Sequence, residues 1–259
     1  MTSQTNAPDM FAPVALGRLT LANRFVRSAT WEGMAAVDGS VTEKLTETLV
    51  RLAQGGVGLV IAGHAYVQKQ GQAGPWKLGV HSSAMQPGLT GLTEAVHAAG
   101  GRIAAQLAHA GQAALVALSG EEAVGPSDGE GFRAMTEAAI ESTVEAFAKA
   151  ARLCRESGFD AVQIHAAHGY LLSQFLSPYY NKRTDAFGGS LANRARFLLA
   201  VVRRVRLAVG PGYPVLCKVN SEDFVPGGLT VEEAVTVAGW LKEAGLDVLE
   251  LSGGTGDSG

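Results

Sequence analysis

The sequence has little cysteine, little charge and no long apolar run, and each shortage argues against a class of protein. Its two cysteines, Cys154 and Cys217, lie far apart and form no CxxC pair, zinc-binding spacing or disulfide framework, which favours a reducing cytoplasm. No apolar run reaches the roughly 18 residues of a membrane span, and the N-terminus lacks the basic and apolar regions of a signal peptide. A net charge of −3 gives no reason to expect nucleic acid or a membrane as a partner.

What the sequence does contain is enough apolar material for a sizeable core. Hydrophobic residues make up 47% of the 259 residues and charged residues 17%, which argues against wholesale disorder. We expect one domain that spans residues 1–259, with a loose tail at residues 1–8. Residues 111–135 are rich in glycine and acidic residues and are predicted to form an insertion loop.

One pattern recurs along the chain: an amphipathic helix, a glycine, two or three residues, and a short apolar strand. Glycine after the last helical turn can take the left-handed conformation that ends a helix at low cost. These glycines are Gly55, Gly100, Gly158, Gly210 and Gly245. The predicted strands are residues 24–28, 59–62, 102–107, 161–165, 215–219 and 248–251, and the predicted helices are residues 42–54, 87–99, 136–157, 191–209 and 230–244.

The order of strands and helices predicts an α/β fold with a parallel sheet. The strands are apolar throughout, which is typical of parallel strands covered on both faces. A doubly wound sheet would fit this order, but a TIM (β/α)₈ barrel fits better. In a barrel, active sites are built at the C-terminal ends of the strands, and unusual polar residues fall there in several strands. About six βα units are present and the sequence stops at Gly259, so we expect two further units beyond it.

The richest strand end reads His165-x-x-His168-x-Tyr170. Two neutral imidazoles on a loop that leaves a strand could hold and polarise a carbonyl or nitro oxygen through their N–H groups. A tyrosine, with an unperturbed pKa near ~10, is a suitable acid for a carbanion-like centre. The alternative is a pair of buried histidines whose nitrogens bond to the backbone. The position at the end of a strand favours the functional interpretation.

Other strand ends leave more than one chemistry open. Gln106 offers a donor and an acceptor that suit the C=O and N–H edge of a flat heterocycle, or it simply caps the barrel core. Lys218 lies inside an apolar strand, where a lysine needs a partner or loses its charge; it could stabilise a charged cofactor or form a Schiff base. Four histidines could instead converge on zinc, namely His64, His109, His165 and His168. No acidic residue is obviously placed to complete such a site, so no metal is predicted.

Small residues at the ends of the first two strands would let a planar ligand approach the backbone closely. Ala29 and Thr30 come at the end of strand one, and Gly63 follows strand two. Trp31, directly after them, could line a pocket or pack against the protein. Each of these signals is weak alone.

Taken together, these stretches resemble the old yellow enzyme family of FMN-dependent NADH:flavin oxidoreductases. The matching segments are residues 16–30, 55–67, 104–111, 164–197 and 218–224, in that order along the chain. The segment at residues 164–197, IHAAHGYLLSQFLSPYYNKRTDAFGGSLANRARF, is the longest and the most specific. The resemblance implies a TIM barrel with FMN at its C-terminal mouth and NAD(P)H as the reductant.

The resemblance also implies a role for each candidate residue. Gln106 would bond the pyrimidine edge of the flavin, and Lys218 would stabilise negative charge near its N1 and O2 atoms. His165 and His168 would hold the carbonyl oxygen of an α,β-unsaturated substrate. Tyr170 would protonate the α-carbon after hydride moves from flavin N5 to the β-carbon. The residues expected to line the flavin are Ala29, Thr30, Gly63 and His64, and Trp31 is expected beside the substrate.

This sequence departs from the family in three respects. It stops before the last two βα units, which in the family grip the FMN phosphate, so we expect it to hold FMN weakly as it stands. It has no cysteine cluster for an iron–sulfur centre, so we expect FMN alone. Trp31 stands where one subgroup has a flavin-tuning cysteine, which suggests a narrower pocket.

Two other functions are consistent with the sequence. A zinc-dependent or Schiff-base barrel enzyme, a lyase or hydrolase, would use the histidines or Lys218. A non-catalytic barrel fragment would instead persist only in association with a partner or a second copy of the chain. A homo-oligomer is compatible with each of these functions.

Overall fold

The computed structural model describes residues 9–258, so the predicted tail at residues 1–8 lies outside the described residues. None of the helices in this part of the chain is both long and apolar enough to cross a membrane. In chain order the elements are β1 (Val14–Leu16), β2 (Leu19–Leu21), β3 (Val26–Thr30), α1 (Glu43–Gln54), β4 (Leu59–Tyr66), α2 (Gln86–Ala98), β5 (Ile103–Ala108), α3 (Val116–Ser119), β6 (Ala123–Gly125), β7 (Phe132–Ala134), α4 (Glu137–Glu156), β8 (Ala161–Ala166), α5 (Leu171–Leu176), α6 (Leu191–Val209), β9 (Val215–Asn220), α7 (Val231–Glu243) and β10 (Val248–Ser252).

Six parallel strands form one curled sheet in the order β10-β9-β8-β5-β4-β3. Each strand lies beside the strand that precedes it in this series, and the order never reverses. A doubly wound sheet reverses its strand order at a switch point, whereas a barrel adds each new strand on the same side. The prediction of a TIM-barrel arrangement with six βα units is therefore confirmed. The outer edges of β3 and β10 pair with no other strand among residues 9–258.

The side chains of these strands point alternately into two apolar layers. Residues that face the helices, such as Val162 and Ile164, join the main core. Residues that face the other way, such as Ala161 and Leu216, form a smaller cluster inside the curve of the sheet. The β1–β2 hairpin adds Leu21 to this interior cluster. Polar side chains on the interior face therefore stand out against an apolar background.

The helix ends follow the predicted chemistry with one exception. Four of the predicted terminal glycines have a positive φ, namely Gly100, Gly158, Gly210 and Gly245. The prediction for Gly55 is wrong, because its φ is −69° and the next residue, Gly56, takes the positive φ of 82° instead. At the start of α7, Thr230 and Glu233 form a capping box.

Three parts of the chain contain more regular structure than the sequence indicated. The β1–β2 hairpin was not predicted, because strands of three residues are too short to show a period. The insertion at residues 111–135 is not a loop alone, since it contains α3 and the β6–β7 pair. The helix α5 begins directly after Tyr170, within the predicted loop.

The strand β4 is longer than predicted, and this changes the placement of two candidate residues. It runs to Tyr66, so Gly63 and His64 lie within the strand rather than after it. The pairing with β5 shifts register between Ala62 and Ala65. Such a bulge bends a strand and can redirect a side chain, and here it falls on His64.

Gly63 is required by close packing of two strands rather than by an approaching ligand. A Cβ atom at this position would lie 1.9 Å from the carbonyl oxygen of Thr30 and 3.0 Å from Oε2 of Glu32. The β3 backbone thus occupies the space that the sequence analysis left for a planar ligand.

We expect Gly63→Ala to lower the free energy of unfolding by roughly 1–3 kcal/mol, because the backbone of β3 must move to admit the methyl group. Chemical denaturation measures the change. Gly91→Ala in α2 is the control, because no atom lies within 4 Å of its added Cβ, and it should stabilise the protein by about 0.5–1 kcal/mol. Equal stability of the two variants would contradict the packing role of Gly63.

Candidate active site

Four aromatic side chains meet at the C-terminal ends of β4 and β8. The ring centroid of His165 lies 5.1 Å from that of His168 and 5.2 Å from that of Tyr170. His64, from β4, lies 4.7 Å from Tyr170 and 5.9 Å from His165. The sequence placed the first three residues in one cavity, and the structure brings them together with His64 as a fourth member. These four residues are called the ring cluster below.

Two members of the ring cluster stand on unusual backbone. His64 has a φ of 30° within the β4 bulge, and His168 has a φ of 61° directly before Gly169, whose φ is 74°. Positive φ angles are uncommon outside glycine and persist only where the surroundings impose them, often at functional sites. Oδ1 of Asn220 accepts a hydrogen bond from the backbone N–H of His168 at 3.1 Å, which helps to impose this turn.

Burial keeps the histidines uncharged at neutral pH. It lowers the pKa of His64 to about 3 and that of the neighbouring His109 to about 4. Burial is also the main reason why the pKa of His165 lies well below its usual value and that of His168 is lowered. A neutral imidazole has one N–H donor and one acceptor nitrogen. The ring cluster can therefore donate hydrogen bonds without carrying charge.

Several ring nitrogens have no hydrogen-bond partner within residues 9–258. Four of them belong to the ring cluster and the neighbouring His109, namely Nδ1 and Nε2 of His64, Nδ1 of His165 and Nε2 of His109, and a fifth is Nδ1 of His81. An unsatisfied buried polar atom costs roughly 1–3 kcal/mol, so folded proteins contain few of them. Their concentration at one edge of the sheet marks the place where a polar ligand would complete the site.

His168 and Tyr170 differ in whether their polar atoms are already hydrogen-bonded within the protein. Nε2 of His168 lies 2.6 Å from Oγ of Ser252 at the end of β10, which fixes the imidazole ring. The ring of Tyr170 packs against those of His64 and His165, and its hydroxyl makes no hydrogen bond within residues 9–258. Burial raises the pKa of Tyr170 above its usual value. The phenol is therefore protonated at neutral pH and has a proton to donate.

A network of polar side chains connects strands on the interior face of the sheet. Nζ of Lys218 lies 3.0 Å from Oε1 of Glu250 and donates to Oγ of Ser28 at 2.7 Å. Ser28 in turn donates to Oε1 of Glu250 at 2.6 Å. Nε2 of Gln163 donates to the other carboxylate oxygen, Oε2, at 2.6 Å. Glu250 thus accepts from three other strands at once, and we call these contacts the Glu250 network.

The Glu250 network also sets the orientation of Gln106. Nε2 of Gln106 donates to Oε1 of Gln163 at 2.8 Å, and the amide of Gln163 is itself oriented by Glu250. Oε1 of Gln106 lies 3.4 Å from the backbone nitrogen of His64. Gln106 therefore presents its oxygen towards the strand end that carries His64.

Glu250 is ionised in spite of its interior position. Burial alone would raise its pKa, but the hydrogen bonds from Ser28, Gln163 and Lys218 outweigh burial, and the pKa lies below its usual value. The carboxylate neutralises the ammonium of Lys218, whose side chain is only 5% exposed. Lys218 thus has the partner that a buried lysine requires.

The remaining predicted residues lie at the β3 side of the site. Ala29 packs against the interior apolar cluster, and the hydroxyl of Thr30 donates to the carbonyl of Ser28 at 3.2 Å. Trp31 is 51% exposed, and Nζ of Lys77 lies 5.1 Å from its ring centroid. These contacts are internal to the protein, so the roles of Ala29, Thr30 and Trp31 towards a ligand stay predictions.

Sequence analysis missed three polar residues of the site, which are Gln163, Glu250 and Lys77. Gln163 and Glu250 each stand on the interior face of a mainly apolar strand, β8 or β10. Their signal was available, because residues at alternate positions of a strand share one face. Lys77 lies in a loop, where a charged residue is ordinary, and its burial had no signal in the sequence.

The two alternative chemistries gain no support from this geometry. Within residues 9–258, no group of three or more His, Cys, Asp and Glu side chains is arranged to hold a metal ion. Lys218 is bound by Glu250 and Ser28 rather than free to attack a carbonyl group.

Glu250→Leu should lower the free energy of unfolding by about 3 kcal/mol, because it leaves the ammonium of Lys218 buried without its partner. The double variant Lys218→Met/Glu250→Leu should lose less than the sum of the two single variants. Urea denaturation of the unchanged chain, the two single variants and the double variant measures the coupling free energy between Lys218 and Glu250.

The exposed pair of Glu122 and Arg133, 3.2 Å apart, provides the control. Removal of either partner should change stability by about 1 kcal/mol or less. Strictly additive effects at Lys218 and Glu250 would contradict their pairing.

The chain matches a known protein family over nearly its whole length. The model of the NADH:flavin oxidoreductase / NADH oxidase family matches residues 9–254. An NADH oxidase of Thermoanaerobacter brockii is 37% identical over 98% of this chain and 40% of its own length. An NADPH dehydrogenase of Halalkalibacterium halodurans is 36% identical over 95% of this chain and 73% of its own length. The structure of an old yellow enzyme homologue from Zymomonas mobilis has a TM-score of 0.88 and 30% identity, over 95% of this chain and 74% of that one.

The matches cover nearly all of this chain but only part of each relative. This chain spans 40% of the length of the Thermoanaerobacter brockii protein and about three quarters of the length of the other two. In each comparison, however, nearly all of this chain takes part. The resemblance drawn from its motifs is confirmed, and the chain belongs to the NADH:flavin oxidoreductase / NADH oxidase family.

Proposed function

We propose that this chain forms the flavin-binding and substrate-binding part of an FMN-dependent oxidoreductase. The enzyme would reduce the C=C bond of α,β-unsaturated carbonyl compounds with NAD(P)H. The observation that carries this proposal is the ring cluster, in which uncharged histidines with unpaired nitrogens surround a protonated Tyr170. Relatives named NADH oxidase and NADPH dehydrogenase support the choice of reductant.

The residues present fit the polar edge of a flavin. Gln106 presents an oxygen whose orientation is fixed by Gln163, and Lys218, paired with Glu250, brings an N–H donor to the same face of the sheet. The unpaired nitrogens of His64 offer further hydrogen bonds. When bound, FMN would take two electrons from NAD(P)H and pass them to the alkene. The part of Gly63 would be indirect, since its close contact with Thr30 holds β3 and β4 together.

His165 and His168 would hold the carbonyl oxygen of the substrate. Neutral N–H donors stabilise the negative charge that develops on this oxygen, and a site without water strengthens their effect. Nε2 of His168 is bound to Ser252, so Nδ1 is the atom left for the substrate. Tyr170 would give its proton to the α-carbon and regain one from solvent.

We also propose a reducing cytoplasm as the place of action. Cys154 and Cys217 are both free and buried, as is usual for proteins of that compartment. Assembly into a homo-oligomer stays a prediction.

FMN should bind saturably to the purified chain and lose fluorescence as it does so. Gln106→Leu should weaken this binding on the order of tenfold, because it removes one hydrogen bond to the pyrimidine edge and releases Gln163. A fluorescence titration measures both dissociation constants.

Gln54→Leu, at the exposed end of α1, is the control and should bind FMN as the unchanged chain does. The proposal fails if no saturable change in fluorescence occurs. If Gln106→Leu and Gln54→Leu bind FMN equally, the proposed contact of Gln106 with the flavin is wrong.

Tyr170→Phe should slow reduction of an enone by on the order of 100-fold, because it removes the proton donor. Affinity for FMN should not change. Since the pKa of Tyr170 is raised, its phenol stays protonated, and the rate should not fall between pH 7 and 9 through ionisation of this group. Tyr179→Phe, a partly exposed tyrosine of the following loop, is the matched control. A Tyr170→Phe protein that retains the full rate would exclude this residue as the acid.

A further inference from the structure

Lys77 is a buried lysine that none of the roles above uses. It lies between β4 and α2 and is only 7% exposed. The residue before it, Trp76, has a left-handed φ of 56°, and its carbonyl accepts from the N–H of Ala35 at 3.2 Å. The residue after it, Leu78, accepts from the N–H of Tyr66 at 3.0 Å and packs in the main core. Lys77 is therefore held inside the protein on both sides by fixed backbone.

The ammonium of Lys77 has no carboxylate within 4 Å among residues 9–258. Its neighbour is the ring of Trp31, 5.1 Å from Nζ, and such a cation–π contact contributes only about 0.5–1 kcal/mol at a partly exposed site. Glu32 attracts Lys77, but its carboxylate lies 2.5 Å from the guanidinium of Arg27 and pairs there. The positive charge of Lys77 is left without a neutralising partner.

This charge acts on the ring cluster. Burial lowers the pKa of Lys77 to about 8, so most molecules still carry the charge at pH 7. After burial, Lys77 is the largest cause of the lowered pKa of His64, and it also contributes at His165. The positive charge of Lys77 is therefore felt at the histidines that would bind the carbonyl end of a substrate.

Lys218 is a second buried lysine in the same protein, and it provides a comparison because its charge is paired. Its ammonium bonds to both Glu250 and Ser28. In the described part of the chain, neither a carboxylate nor a hydroxyl bonds to the ammonium of Lys77. A buried charge without a partner destabilises a protein, and groups that destabilise a fold are found mainly where function retains them. An anion from outside the protein would remove this penalty.

We propose that Lys77 binds an anionic group of the substrate, so that this site selects enone-type compounds that carry a carboxylate. The carbonyl oxygen would bind at His165 and His168 and the carboxylate at Lys77, with Trp31 against the carbon skeleton between them. The identity of the alkene rests on the proposed function, whereas recognition of the anion rests on Lys77 alone.

Two ligands of matched shape test this role. One is 4-(3-oxobut-1-enyl)benzoate, and the other is the corresponding benzamide, which has the same size without the charge. Isothermal titration of the unchanged chain should show the carboxylate binding on the order of tenfold more tightly, as expected for one charge-assisted hydrogen bond. In Lys77→Met this ratio should fall to about one while the affinity for the amide is kept, and Lys77→Arg should restore part of it.

Lys69→Met, an exposed lysine of the same connection, is the control and should keep the full preference. Each titration is run with and without FMN. Failure to bind FMN with an intact preference for the carboxylate would contradict the proposed function alone. FMN binding with equal affinities for the two ligands, an unchanged preference in Lys77→Met, or no binding of the carboxylate would overturn the role of Lys77.

A pH series gives a second readout. The preference for the carboxylate should decline as the pH rises above about 8, where free Lys77 loses its proton. The histidines on which the charge of Lys77 acts should not titrate in this range, since burial lowers the pKa of both His64 and His165 and keeps them neutral. A preference that is constant from pH 7 to 10 would contradict the assignment.

The stability of the empty protein should change in the same range. The lowered pKa of Lys77 makes the unfolded chain bind more protons between about pH 8 and the ordinary lysine value, so stability rises with pH there. Lys77→Met should therefore raise the melting temperature at pH 7, and the gain should shrink by pH 10. A lower melting temperature of Lys77→Met at pH 7 would show that the lysine is a structural group.

Discussion

One interior carboxylate, that of Glu250, ties the polar end of the sheet together. It accepts hydrogen bonds from Ser28, Gln163 and Lys218, which lie on the first, fourth and fifth strands of the sheet, while Glu250 lies on the sixth. Removal of a carboxylate and an ammonium from water costs several kcal/mol for each ion unless both are paired and hydrogen-bonded. The contacts that meet this requirement also join distant strands at one level of the barrel. The orientation of Gln106 depends on them in turn.

The ring cluster differs from the Glu250 network because its buried side chains have no charged partner among residues 9–258. Among the described residues, no carboxylate bonds to the imidazoles of His64 or His165, and burial drives both into the neutral form. Neutral rings keep N–H donors, and the fold leaves several of their nitrogens unpaired at the strand ends. Burial therefore has two results within one site. The Glu250 network keeps its carboxylate and ammonium charged, whereas the histidines of the ring cluster are neutral. A substrate oxygen that gains negative charge would find donors that have no counter-charge of their own.

The barrel order and the meeting of His165, His168 and Tyr170 were predictable because local chemistry determines them. Thr230 with Glu233 starts a helix, Gly245 ends it, and the next apolar run can only be the strand that follows. The interior network was not predicted, because Glu250 reads as a lone charge in a short apolar strand until the strands curl and bring it to Lys218, 32 residues earlier in the chain. The bulge at His64 was missed for a similar reason. It depends on how β4 pairs with β5, which no window of the sequence contains.

The two buried lysines differ in where their counter-charge comes from: the protein supplies it for Lys218, and we propose that a ligand supplies it for Lys77. Lys218 is neutralised by Glu250, so its position is set before anything binds. Lys77 lies beside Trp31 without a carboxylate partner among residues 9–258, and the residue before it, Trp76, has a left-handed φ of 56° that the fold imposes. A framework charge is more stable when it is paired, so an unpaired one is better explained by a partner that comes and goes. On this reasoning the anion that Lys77 lacks arrives with the substrate, and the affinity it adds is available only to ligands that carry it.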